Sequence, residues 1–316
     1  MPALRAPALS DVSSYARRLS GLTRARQATA SRPQGLFITT IMNPEDRFEA
    51  GAPAYADYLR TVEGRLRLDL AWANLRAVLD ERAAHESCAA AGGGPMRAAL
   101  DLGGGTGALA VRLAALGYSV AVVDSSTTMI ELAREAARQA GVLERLSFHQ
   151  ADAARAAGLF APESFDVATC HNVLEYVPDP AAAVRALRKS VRSQGGIVSL
   201  LVRQRAGEAL RHALKGHDLD HARRALDAEW ATESLYGGPA RVFDSQSLRA
   251  LLDESGFELI AERGVRVVAD YLPPALTETE AAYARLLAFE LALGARPEFA
   301  AVARYRQVLA RVRRKS

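Results

Sequence analysis

Hydrophobic positions along the chain fall into two alternating rhythms. Short runs rich in apolar and β-branched residues occur at MRAALD (96–101), VAVVD (120–124), LSFHQ (146–150), FDVATC (165–170) and GIVSLLV (196–202). Between them lie longer stretches of helical character. Strands alternating with helices in this way predict an α/β fold built on a doubly wound, mostly parallel sheet covered on both faces. Upstream, from Glu45 to about Arg82, the pattern turns helical, with Leu66, Leu70, Leu75 and Leu79 at near-helical spacing on one face. The run AAAGGGP (89–95) separates this region from the first strand. The expected organisation is therefore a helical cap over 42–94 and a main domain over 95–316.

Residues from about 203 to 242 interrupt the rhythm with the polar stretch RHALKGHDLDHARRALDAEW. It reads as an insertion after the fifth strand, over the carboxyl edge of the sheet, where ligands bind in such folds. Beyond it SLRALLDESGF predicts a helix, and ELIAERGVRVVADY a strand that runs to a Pro-Pro stop at Pro273. The segment RYRQVLARV fits a last strand or a helix. Residues 1–41 carry a single acid, Asp11, are rich in Arg, Ser, Thr and Ala, and show no sustained period, which predicts a disordered extension. Their composition also matches an organelle transit peptide, although a translation start at Met42 explains it more simply.

Composition narrows the class. With Cys88 and Cys170 as the only cysteines of 316 residues, neither a disulfide framework nor a zinc site is expected, and a reducing, cytoplasmic setting fits. No metal site is predicted, and no apolar run approaches the roughly 20 residues of a membrane-spanning helix. The net charge of +4 permits a polyanionic partner such as RNA without requiring one.

The candidate chemistry lies in ALDLGGGTGALAVRLAALG, where Gly103, Gly104 and Gly105 follow the first strand and precede a helix. Glycines there let backbone amides approach a ligand closely. Gly103, Gly105 and Ala108, with Asp124 about 20 residues on, also satisfy a dinucleotide fingerprint, so a nicotinamide-dependent oxidoreductase is one reading. Two acids favour S-adenosylmethionine instead. Asp101, at the strand end beneath the glycines, suits a cationic amino acid and sulfonium and would repel a pyrophosphate. Asp152, in QADAA after the third strand, stands where a class I methyltransferase places an acceptor for the adenine amino group. Asp124 can accept hydrogen bonds from both ribose hydroxyls in either reading. Each acid taken alone could equally be a solvated strand end or a helix cap.

With these residues identified, the chain resembles the bacterial tRNA 5-carboxymethoxyuridine methyltransferases over nearly all of 42–316. The motifs that carry the resemblance are LDLGGG (100–105), DSSTTMIELAREAA (124–137), CHNVLEYVPDP (170–180), GVRVVADYL (264–272) and RPEFAAVARYRQV (296–308). The last two are the more specific. The resemblance implies a class I fold, methylation of a carboxylate on a modified wobble uridine of tRNA, and cofactor contacts from Arg67, Gly103, Gly104, Asp124, Ala151, Asp152 and His171. Arg67 could grip the cofactor's carboxylate with two donors, or be a solvated residue on an amphipathic helix. His171 could be a general base, a cofactor contact or a buried hydrogen-bonded residue; the contact is favoured, since a carboxylate acceptor is already ionised at neutral pH. Arg266 and Tyr271 are candidates for substrate contact or cap closure. Asp270 is a weaker one.

The sequence departs from that family in the substrate region. AEWATESLYGGPAR stands where a run of lysines is expected, and Arg203-Gln204 where a Tyr-Asn pair usually closes the fifth strand. A small-molecule O- or N-methyltransferase with the same cofactor site is accordingly the first rival to a tRNA enzyme. A cofactor-binding module without turnover is a further rival.

Overall fold

The computed structural model describes residues 44–87, 97–233 and 235–313. The expectations for residues 1–41 lie outside them, as does Cys88. Two helices come first, α1 (Pro44–Tyr58) and α2 (Val62–Ser87). The alternating part follows: β1 (Ala98–Leu102), α3 (Ala108–Ala115), β2 (Ser119–Asp124), α4 (Thr127–Gln139), β3 (Leu146–Gln150), β4 (Val167–His171), α5 (Pro180–Ser190) and β5 (Ile197–Arg203). The expected insertion folds as α6 (Arg205–Leu214), α7 (Leu219–Ala225) and a hairpin of β6 (Trp230–Thr232) with β7 (Pro239–Arg241). The chain closes with α8 (Ser245–Glu254), β8 (Phe257–Val265), α9 (Glu280–Gly294), α10 (Pro297–Ala300) and β9 (Tyr305–Val312).

The main sheet is seven-stranded, in the order β3-β2-β1-β4-β5-β9-β8. The first five strands are parallel, and β9 inserts antiparallel between β5 and β8. Each central strand presents alternate residues to two apolar layers. Leu100, Val123, Cys170 and Leu200 face Val184 and Leu187 of α5 and Leu248 of α8. Ala99, Val122, Val167 and Ile197 face the other layer, with Leu75 and Leu79 of α2 and Leu113 of α3. The leucine face read from the sequence is thus buried: Leu66 and Leu70 lie, with Val265 and Leu286 of α9, in a third cluster at the end of the sheet. Strand order reverses between β1 and β4, which opens a crevice at their carboxyl ends.

Two expectations about the chain's end are corrected or resolved. β8 stops at Val265 and does not run on to Tyr271. Arg266 adopts φ 60°, a left-handed conformation that breaks strand pairing. The backbone N–H groups of Val267, Val268 and Ala269 then donate to the buried carboxylate of Glu290 on α9, at 2.6, 2.9 and 2.7 Å, in place of a strand partner. RYRQVLARV is a strand, because seven of the eight residues Tyr305–Val312 are buried between β5 and β8.

Candidate active site

The crevice is a cavity of about 600 Å³. At its floor is the glycine loop. Gly103 has φ 67°, and a Cβ there would fall 2.2 Å from the side chain of Val173 on the neighbouring strand's loop, so no larger residue fits. The N–H groups of Gly103 and Gly104 donate to the carbonyl of Val123 at 2.7 and 3.1 Å, which ties the loop to the end of β2. Asp124 completes the tie: its Oδ2 accepts from the Gly105 N–H at 2.8 Å and its Oδ1 from the Ser126 N–H at 3.0 Å. Burial raises its pKa. Each oxygen retains a lone pair that can take a hydroxyl donor from the cavity.

Asp101 lies below the loop and not in the cavity wall. Its Oδ1 accepts from Thr169 Oγ1 at 2.6 Å, whereas Oδ2 is buried without a hydrogen-bond partner. Burial pushes its pKa up to about 6. Gly104 is also outside the cavity wall, and a Cβ there would meet Val122 and Asp101. Ala151 and Asp152 line the wall beyond Asp124, and Asp152 Oδ1 caps the following turn by accepting from the Ala154 N–H at 2.7 Å. The capping role and exposure to the cavity coexist, since one carboxylate oxygen suffices for the cap.

His171 closes β4 and lines the cavity. Its Nε2 is 2.8 Å from Ser199 Oγ, and burial, with Arg67 adding to it, depresses its pKa to about 3. It is neutral throughout the physiological range and too weak a base to take a proton from a hydroxyl or amine. Arg67 on α2 is buried rather than solvated. It donates to Asn172 Oδ1 and to the Tyr55 hydroxyl, each at 2.9 Å, and its guanidinium is 5.1 Å from the Tyr58 ring centroid. Among the described residues no carboxylate pairs with it.

The wall opposite the loop is built from α1. Phe48 meets Tyr176 and Tyr236 edge-on at 5.1 Å each, and Tyr55 stacks on Tyr236 at 5.9 Å. Glu49 reaches to the start of α4, accepting from Ser126 Oγ at 2.6 Å and the Thr128 N–H at 3.1 Å. A carboxylate at a helix N-terminus is favourable, and here it fastens α1 to the residues next to Asp124.

The far end is cationic. Arg203, Arg211, Lys215, Arg266 and Arg304 all line it. Most are held in alternation with carboxylates: Arg203 pairs with Glu233 of the insertion and with Glu208 at 3.1 Å, Arg304 with Glu208 at 2.6 Å, and Arg266 with Asp270. Arg266 also donates to the Tyr58 hydroxyl of α1 at 2.8 Å. Tyr305 sits among these groups with its ring 5.7 Å from Arg67 and 5.8 Å from both Arg266 and Arg304. Burial alone would raise its pKa, but Arg304, Arg266, Arg67 and Arg203 together bring it below the ordinary value.

Of the residues singled out from sequence, Arg67, Gly103, Gly105, Asp124, Ala151, Asp152, His171, Arg266 and Asp270 meet around this one cavity; Asp101, Gly104 and Tyr271 do not reach its surface. Sequence reasoning missed Tyr55, Tyr58, Asn172, Arg203 and Tyr305 as wall residues. Asn172, next to His171, Tyr305, inside a shared motif, and Arg203, at a departure from the resembled family, carried a local signal. Among the described residues no group of three or more His, Cys, Asp or Glu could hold a metal ion, and no helix is long and apolar enough to cross a membrane.

Comparison with known proteins agrees with this geometry. Residues 100–199 match the family model for a methyltransferase domain. Over 253 residues the chain is 30% identical to the tRNA 5-carboxymethoxyuridine methyltransferase of Escherichia coli K12, covering 79% of this chain and 90% of that protein. The ubiquinone biosynthesis O-methyltransferase of Aromatoleum aromaticum is 38% identical over 98 residues, only 31% of this chain. Among solved structures, the CcbJ methyltransferase of Streptomyces caelestis superposes with a TM-score of 0.55 at 16% identity, covering 86% of this chain and all of the other (100%). A Thermotoga maritima S-adenosylmethionine-dependent methyltransferase gives 0.51 at 18% identity over 85% of this chain and 99% of its own. These two establish a shared fold, and the nicotinamide reading of the glycine loop is set aside. The chain is an S-adenosylmethionine-dependent methyltransferase and belongs to the family of the tRNA 5-carboxymethoxyuridine methyltransferases.

Proposed function

We propose that this enzyme methylates a carboxylate oxygen, that of 5-carboxymethoxyuridine at the tRNA wobble position, to give a methyl ester. The observation that carries the reading is the gathering of basic side chains at the far end of the cavity, beside a His171 that is hydrogen-bonded to Ser199 and whose protonated form burial disfavours. A hydroxyl or amine acceptor would need its proton removed; a carboxylate does not. Arginines at the far end suit an anionic acceptor, and guanidinium is the side chain best matched to a carboxylate.

The residues present fit the cofactor. The ionised Asp101, with Oδ2 unpartnered beneath the loop, supplies negative potential for a cationic ligand. Asp124 has lone pairs open for the ribose hydroxyls, Asp152 for the adenine amino group, and Arg67 has no carboxylate of its own and would take the carboxylate of the methionine moiety. Gly103, Gly105, Ala151 and His171 would shape the remaining contacts. Bound there, S-adenosylmethionine supplies an electrophilic methyl group on a sulfonium. The protein's part is then positioning and exclusion of water. α1 and α2, the cap over 42–94, close one side with Tyr55 and Tyr58. Arg266, fixed by Asp270 and Tyr58, shapes the acceptor end, and the acceptor's negative charge is met by the excess of basic side chains over carboxylates there. A cytoplasmic site of action, where tRNA is found, follows from this substrate.

A second reading has one observation in its favour. Glu233 of the insertion lines the cavity and pairs with Arg203, which takes up one of the cations that a polyanionic tRNA could use and leaves a small-molecule acceptor as the alternative. Transfer of labelled methyl to tRNA that carries the carboxymethoxy group, set beside tRNA that lacks it, separates the two. Label only in the first supports the tRNA reading. Label in neither, with the cofactor still bound, moves the acceptor to a small molecule.

A further inference from the structure

Asn172 is conspicuous on three counts. It follows directly on β4, its φ of 55° is in the left-handed region, and its side chain is engaged at both ends. Oδ1 accepts from Arg67 at 2.9 Å, while Nδ2 donates to Glu175 Oε1 at 2.9 Å. Glu175 is in turn almost fully buried, and the same Oε1 accepts from the Arg203 N–H at 2.8 Å, anchoring it to the end of β5. A carboxylate fixed by the sheet thus holds an amide, and the amide holds a guanidinium. The order matters. An Asn side chain carries no charge, so Arg67 is oriented but keeps its full charge for a ligand. Pairing Arg67 directly with an acid, as Arg266 is paired with Asp270, would fix it equally well and discharge it.

We propose that Asn172 is a positioning residue that aims Arg67 at the carboxylate of the cofactor's amino-acid moiety, with Glu175 as its anchor. The proposal rests on the assignment of Arg67 to that carboxylate made above. Asn tolerates left-handed backbone better than other residues with a Cβ, and Gly tolerates it without cost. Asn172→Gly therefore removes the tether and leaves the backbone where it is.

The test compares two ligands by titration calorimetry: S-adenosylhomocysteine, which has the amino-acid carboxylate, and 5′-methylthioadenosine, which lacks the whole amino-acid moiety. In Asn172→Gly the first is expected to bind roughly 10- to 50-fold more weakly, the loss of a directed charged hydrogen bond, and the second to change by less than about twofold. Asn172→Asp should weaken the first further, since an added carboxylate discharges Arg67. Equal loss for both ligands, or none for either, overturns the proposal. Arg67→Met separates the two layers: if it too leaves the preference for the carboxylate-bearing ligand intact, the Arg67 assignment fails; if it abolishes the preference while Asn172→Gly does not, only the tether fails.

Discussion

Asp101 and Asp124 stand at the ends of adjacent strands and do different work. Asp124 shapes the loop and faces the cavity; Asp101 contributes charge from below. Removing the first, as Asp124→Ala, takes away the acceptors expected for both ribose hydroxyls and should weaken cofactor binding roughly 100-fold, measured by calorimetry, with cooperative unfolding retained. Unchanged affinity would sink the ribose contact. Asp101 gives a pH dependence. With its pKa raised to about 6 by burial, it is ionised above that pH, and a cationic ligand binds most tightly to the ionised form. Affinity for S-adenosylmethionine should therefore be full above about pH 6 and fall as the pH drops through it, a slope that Asp101→Asn removes. These acids and the glycines were legible in the sequence because their spacing is local. The roles of Asn172, Tyr55 and Arg203 were not, because they come from partners on other elements: Arg67 lies 105 residues from Asn172 in sequence. Tyr271, singled out from its motif, is not among the residues that line the cavity.

At the scale of elements, the alternating strands β1 to β5 were readable because each is a short apolar run set off by turns, and β3 was the faintest because it is an edge strand with no buried residue. The end of β8 could not be read. GVRVVADY has the composition of a strand throughout, and only Glu290, on a helix beyond it in sequence, diverts the backbone at Arg266. Three amides converge on that fully buried carboxylate. Glu290→Gln replaces an acceptor oxygen with a donor facing donors, and should cost about 2–4 kcal/mol of stability, read as a lower urea midpoint with unchanged slope. Because Arg266 and Asp270 flank the same turn, the variant should also raise the KM for the acceptor more than that for the cofactor. A midpoint equal to the wild type would show that the carboxylate does not hold the turn.

On the scale of the whole molecule, one cavity joins two regions of opposite character. Acids gather at the glycine loop, where a cationic ligand is expected; arginines gather at the far end, where an anion is expected. The parts come from every region of the chain: α1 and α2 before the sheet, β1, β2 and β4 within it, the insertion after β5, and Arg304 and Tyr305 near the end. Such convergence explains why the sequence announced the cofactor and left the acceptor open. The glycine loop is a contiguous signal, whereas the cationic end is assembled from distant residues, including Arg203 at a position where the sequence departs from the resembled family. The decisive measurement is to incubate tRNA containing 5-carboxymethoxyuridine with the enzyme and methyl-labelled S-adenosylmethionine, identify the labelled nucleoside in one half by mass spectrometry, and treat the other half with mild alkali. The account predicts label on the carboxymethoxy group that alkali releases as methanol, as an ester requires; label that resists alkali would place the methyl on a nitrogen, carbon or hydroxyl and contradict it.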